Sequence, residues 1–343
     1  MSTLVDERVA AKVAARMASE GSLGHSYLLD ELDSSFKRLT AEAEPLIAAE
    51  TGFSAGVPAV SRVLSRKEWA TVNVASMLKL MSPLLDKMER KIEIRSASPL
   101  SRMTYGPMLG AQMGMVLGFL SQKVLGQYDV VDGHQNEVWF VGPNIVLTER
   151  RFGFVPRDFR LWVAVHELTH RAQFEGNTWV REHFLSSVGN LIEALDIDAS
   201  QVLRRMRNRS SRGSFGDAPI PLRLLGPDQI EGFNNLQAFM SVIEGHANFV
   251  MDRVAEKAIP TQPRMRETLK KGAMGGGWIT KILNKVLGLD LKRAQYKQGQ
   301  EFFDQVFAAT GQAGVTACFA SAENLPSLEE VKDPPKWLAR IQP

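Results

Sequence analysis

Three residues combine reactive side chains with a meaningful spacing: His166, Glu167 and His170, inside the stretch LWVAVHELTHRAQ from Leu161 to Gln173. The apolar positions Leu161, Val165, Leu168 and Ala172 recur at helical intervals, with Val163 and Ala164 beside them, so the spacing predicts an amphipathic or wholly buried helix. On such a helix, residues four apart stand one turn above the other on the same face. Two imidazoles so placed can share one tetrahedral zinc ion. Glu167, next in the chain to the first histidine, has the chemistry to accept a proton from water held at such a metal. H-E-x-x-H fixes only three positions, and its weight comes from context. Trp162, Val163, Ala164 and Val165 lead the helix in through a core, where an imidazole or carboxylate without a partner is costly.

A catalytic zinc takes three protein ligands and keeps one open position. The longer pattern H-E-x-x-H-x-x-G-x-x-H would need glycine at 173 and histidine at 176, but Gln173 and Gly176 stand there. Three downstream candidates for the third ligand are His183, Glu244 and His246. His183 lies in the charged run Arg181-Glu182-His183 and is expected to face solvent. Glu244 and His246 lie two apart on a long helical pattern and point in nearly opposite directions, so one of them at most can join the pair. The apolar stripe Phe233, Leu236, Met240, Ile243, Ala247, Val250 and Val254 flanks Glu244, which favours Glu244, with His246 as the alternative. Asn248, one turn beyond Glu244, is placed to hydrogen-bond a ligand from behind.

The elements that must position these groups are mostly helical. Helical patterns cover residues 4–20 and 28–49, a long stretch from Lys67 through Met88 that Pro83 kinks or splits, 177–188, 192–207, and Pro227 to about Ala255. Further helices are expected at about 278–288 and 290–310, after a basic, Gly-rich connector at 262–277, with a short capping helix within Pro326 to Pro343. From Met103 to Gln122 the chain carries no charge, and Gly106, Gly110, Gly114 and Gly118 recur every four residues. Such a ridge lets another backbone come close. Gln112 and the glycines argue for a helix packed inside the fold and not for a membrane span. Gly126 to Val131 and Glu137 to Val141, separated by the turn formers Asp132 to Asn136, predict a hairpin. Ile145-Val146-Leu147 after Gly142-Pro143-Asn144 reads as an edge strand, a place where an extended peptide could add to the sheet. The fold class is therefore mainly α with a small β-sheet. Neither an internal repeat nor a linker between two cores is visible, so residues 1–343 are expected to form a single domain.

Composition excludes several functions. Forty-one basic residues nearly balance thirty-eight acidic ones, for a net charge of +3, which gives no general affinity for nucleic acid. The basic tract Arg204 to Gly213 lacks interleaved aromatic residues and reads as a solvated helix end. The one cysteine, Cys318, rules out an intramolecular disulfide and a thiolate zinc cluster, and fits a reducing cytoplasm. The N-terminus has charges in its first turns, unlike a secretory signal. A cytoplasmic location without a membrane span is the expectation.

Taken together, GQYD at 126–129, GPN at 142–144, FRLWVAVHELTHRAQFEG at 159–176, IEGHANFVMD at 243–252 and LDLKRAQYKQG at 289–299 resemble the zincin-like metallopeptidase/hydrolase family of actinobacteria and their relatives. Some members of that family are labelled as associated with biosynthesis of a deazaflavin cofactor. The resemblance spans about residues 60–340, leaving residues 1–60 as an N-terminal helical extension. It implies a zincin-like core around the H-E-x-x-H helix, with His166, His170 and Glu244 as ligands of Zn2+ and Glu167 as the catalytic base. Asn248 departs from the aspartate expected there. The activity expected is zinc-dependent hydrolysis of a peptide, protein or other amide; the alternative is a zinc-stabilised scaffold or binding protein without turnover. His246, Tyr296 and Arg171 are the candidates for stabilising an oxyanion.

Overall fold

The computed structural model describes residues 4–20, 27–95, 99–131, 136–194, 227–271 and 294–341. Its helices, in chain order, begin with α1 (Glu7–Met17), α2 (Leu32–Thr51), α3 (Arg66–Arg95) and α4 (Pro99–Leu120). After a β segment come α5 (Gly142–Phe152), α6 (Pro156–Glu175), α7 (Thr178–Ala194) and α8 (Pro227–Ala258). The chain ends with α9 (Gln262–Lys271), α10 (Ala294–Thr310), α11 (Gln312–Ala317), α12 (Leu328–Lys332) and α13 (Pro334–Ile341). Strands β1 (Val60–Leu64), β2 (Gly126–Tyr128) and β3 (Glu137–Val141) form one sheet in the order β1-β3-β2. The protein is thus mainly α with a small sheet.

The sheet is mixed. β2 and β3 pair antiparallel with Gly126 opposite Phe140 and Tyr128 opposite Val138, as the hairpin pattern predicts, although β2 stops at Tyr128. β1 lies parallel to β3 on its other side, from Val60 opposite Glu137 to Leu64 opposite Val141. Its exposure alternates only from Val60 to Arg62, and five residues gave too short a signal to be recognised as a strand. β3 is the central strand and is buried along Val138 to Val141, so its continuous apolar run is what a two-sided burial requires.

α6 is the hub. It packs on α2, α7, α8 and the sheet, and α8 packs in turn on α7 and α10. Pro156 occupies the first turn of α6, where its missing N–H costs nothing, and the helix is buried along most of its length from Asp158 to Phe174. The expected stripe of α8, Phe233 to Val254, is buried throughout. The glycine ridge of α4 meets α1: a Cβ on Gly110 would lie 2.4 Å from the Asp6 carbonyl oxygen, one on Gly114 2.4 Å from that of Ala10, and one on Gly118 2.4 Å from Met17 Cβ. The ridge is a seat for the N-terminal helix. No helix among the described residues is long and apolar enough to cross a membrane.

Several expectations need correction. Ile145-Val146-Leu147 are not an edge strand but the first turns of α5, in which Pro143 takes one of the first two helical positions. A proline there presets the helical φ, and this outweighs the β preference of Ile and Val. The edge strand beside the motif helix is β2. Residues 262–271 form helix α9 instead of a connector, and α3 runs through Pro83 without ending. The tail holds two short helices in place of one, α12 opened by a capping box between Ser327 and Glu330. α7 is continuous through Gly189, where two helices were expected. The basic tract 204–213, the glycines 275–277 and the helix at 278–288 lie outside the described residues.

Candidate metal centre

α6 and α8 bring His166, His170 and Glu244 together, so that one ligand atom from each lies within 4.8 Å of the other two. The two imidazoles stand edge to face with their Nε2 atoms 3.2 Å apart. The Glu244 carboxylate oxygens lie 3.9 Å from His166 Nε2 and 4.0 Å from His170 Nε2. Zn–N bonds of about 2.0–2.1 Å at a tetrahedral angle set ligand atoms roughly 3.3 Å apart, so these separations suit one small ion between the three groups. The donor set, two imidazoles and one carboxylate, matches that of a zinc hydrolase centre. His170 and Glu244 have side chains only 3% exposed, against 17% for His166, so the centre opens to solvent on the His166 side.

Both imidazoles are held from behind. His166 Nδ1 lies 3.0 Å from Met251 Sδ on α8. His170 Nδ1 lies 2.9 Å from Gln173 Oε1, one turn along α6. The Gln173 amide nitrogen in turn donates to the Ile243 carbonyl and reaches His246 Nδ1, both at 2.9 Å. Gln173 was not singled out from sequence as a site residue. The signal was nevertheless available: a glutamine three residues after a histidine shares its face, and an amide on so apolar a helix needs buried partners.

His246 stands apart from the three converging groups. Its ring sits among Phe53, Phe249, Phe303 and Phe319, the Phe319 centroid at 4.7 Å, and it is completely buried. Burial, reinforced by nearby His170, pushes its pKa down to about 3, so the ring is neutral. Glycine between Glu244 and His246 allows α10 to press on α8: a Cβ on Gly245 would lie 2.3 Å from the backbone carbon of Gly299.

Glu167 is buried against β2. A Cβ on Gly126 would lie 2.6 Å from Glu167 Cγ and 3.0 Å from its Oε1, so glycine at 126 is what lets the carboxylate lie across the strand backbone. Arg171 is turned away toward α2. Its guanidinium donates to Glu44 at 2.8 Å, to the Val57 carbonyl at 2.5 Å and to Asn136 Oδ1 at 3.0 Å. It ties α2 and the approaches to β1 and β3 to the motif helix. His183 is half-buried between Trp179 and Phe239 instead of facing solvent, and burial lowers its pKa. Asn248 is half-buried, and the hydrogen bond expected of it to a ligand is made to His170 by Gln173. The side chain of Tyr296 lies outside the described ones.

A His-Glu-x-x-His helix and a carboxylate brought from a second helix give a donor set that could hold a metal ion. The chain belongs to the zincin-like metallopeptidase family, whose model matches residues 5–338. It is also similar to a candidate hydrolase of novel fold from Chloroflexus aurantiacus, known from a crystal structure. That similarity has a TM-score of 0.77 and 29% sequence identity and covers 99% of each chain. No curated protein matches the sequence. Membership of this family implies a metal, typically zinc.

Proposed function

We propose that the protein is a zinc-dependent peptidase or amide hydrolase in which His166, His170 and Glu244 hold the ion and Glu167 is the general base. The observation that carries this reading is the convergence of those three donors from α6 and α8, with Glu167 next in the chain and packed on β2. When bound, zinc would supply a Lewis acid that acidifies water and polarises a carbonyl. Glu167 is the residue that would accept a proton from the attacking water and hand it to the departing amine. Gly126 keeps β2 close enough to fix the carboxylate, and the buried setting keeps bulk water from competing for it. The solvent-facing side of His166 is where a substrate carbonyl enters. We take residues 1–343 as one zincin-like domain, since one hydrophobic cluster extends from Ala10 to Trp337.

The test is a metal analysis of the purified protein joined to hydrolysis of a broad peptide mixture followed by mass spectrometry. Glu167→Gln is expected to keep its zinc and lose turnover. Equal activity in the wild type and this variant would overturn Glu167 as the base, and wild-type protein with zinc but without any cleavage would favour a metal-stabilised scaffold.

A further inference from the structure

The chain of contacts from Ile243 through Gln173 to His170 has a consequence for which nitrogen of His170 carries a proton. A backbone carbonyl can only accept, so the end of the Gln173 side chain that lies 2.9 Å from the Ile243 oxygen must be its NH2. The reversed amide would set two oxygens against each other. With the NH2 so placed, Oε1 faces His170 Nδ1 at 2.9 Å, and an oxygen that can only accept requires a proton on that nitrogen. His170 Nε2 is then left with its lone pair, directed toward His166 and Glu244. His246 agrees with this assignment from the other side. Its Nδ1 accepts the second Gln173 hydrogen, which places its own proton on Nε2. That atom has no hydrogen-bond partner and lies within the aromatic cage, where ring faces can receive an N–H weakly.

We propose that Gln173 is the positioning residue of the metal centre. Oriented by the Ile243 carbonyl and by His246, its amide fixes His170 in the Nδ1–H form, so that Nε2 is ready to bind a cation. The proposal rests on the metal-centre reading for its purpose, but the proton's location is a property of the chain alone. It also gives the Glu244-Gly245-His246 turn two separate tasks. Glu244 would hold the ion, and His246 steadies the group that orients His170, another of the residues that would hold it. Partners of this kind, on the far nitrogen of a ligating histidine, typically change metal affinity by about 10–100-fold when removed.

The experiment is 15N NMR of the histidines in metal-free protein, well above the ordinary imidazole pKa of about 6.5, paired with zinc affinity measured against a competing chelator. In the wild type, His170 is expected to show a protonated Nδ1. Gln173→Leu should lose that signature and weaken zinc by about 10–100-fold. Gln173→Glu keeps an acceptor toward His170 but cannot donate to Ile243, so it should keep the Nδ1–H signature and bind zinc better than Gln173→Leu despite a lower melting temperature. If Gln173 merely cross-linked α6 to α8, both variants would lose zinc alike and the proposal would fail. It would fail also if wild-type His170 carried its proton on Nε2, a result that needs no variant to fold. Wild-type protein that shows the Nδ1–H signature but takes up no zinc would support the tautomer lock and overturn the metal-centre reading instead.

Discussion

Replacing Gly126 by alanine separates catalysis from folding and from metal binding. The added Cβ would stand 2.6 Å from Glu167 Cγ and 3.0 Å from both Cδ and Oε1, where ordinary contacts begin at 3.4 Å. The carboxylate must therefore retreat by nearly 1 Å or swing to another rotamer. A misplacement of about 1 Å of a catalytic group can cost on the order of 100-fold in rate, equivalent to roughly 2.7 kcal/mol in the barrier. The fold should be disturbed much less, because the clash falls on a side chain that can rotate, and a loss near the lower end of the 1–3 kcal/mol typical of overpacking, about 1 kcal/mol, is expected. His166, His170 and Glu244 are untouched, so zinc content should match that of the wild type. The assay is the initial rate of cleavage of a peptide found in the mixture screen, measured for wild type, Gly126→Ala and Glu167→Gln, with urea unfolding and metal analysis alongside. A Gly126→Ala protein that retains zinc and cleaves at the wild-type rate would refute both the placement of Glu167 against β2 and its role as base.

Other substitutions test the frame. Gly114→Ala puts a Cβ 2.4 Å from the Ala10 oxygen and 2.8 Å from Val13 Cβ, neither of which can rotate away; stability should fall by about 1–3 kcal/mol in urea titration while zinc content stays unchanged. Arg171→Met removes a buried guanidinium from the part-exposed Glu44 and from the Val57 carbonyl, with an expected loss of about 1–3 kcal/mol in urea unfolding but no change in zinc stoichiometry, in contrast to a role at the centre. His183, whose folded pKa lies below its unfolded value through burial, contributes stability that is complete above about pH 6.5 and is lost as pH falls through the lowered folded value. His183→Asn should flatten that part of the pH–stability profile measured by thermal unfolding.

Much of this arrangement was legible in the sequence because its signals are local. The motif helix, the α8 stripe and the glycine ridge each follow from spacing along one helix, and residues four apart in the chain stay neighbours in space. The hairpin of β2 and β3 was legible for the same reason. What escaped depends on partners distant in the chain. β1 is a strand only because β3, more than seventy residues later, pairs with it. Ile145 and Val146 are helical because Pro143 presets the turn before them. The role of Gln173 needed the carbonyl of Ile243, and the need for glycine at 126 appears only when Glu167 is laid across β2. Arg171 looked available for chemistry from its place in the motif, but Glu44, Val57 and Asn136 occupy it from three separate parts of the chain.

The central claim, that His166, His170 and Glu244 are the ligands, is tested most directly by zinc stoichiometry across one set of variants. Wild type, Glu167→Gln and His246→Phe are expected to hold about one zinc per chain, and His166→Ala, His170→Ala and Glu244→Ala to lose it. Phenylalanine suits the aromatic cage around residue 246, and the Ile243 carbonyl still orients Gln173, so the His246 variant is expected to weaken zinc without emptying the site, unlike loss of a ligand. Loss of zinc from His246→Phe with retention in Glu244→Ala, or a wild-type protein that takes up no zinc, would contradict the account.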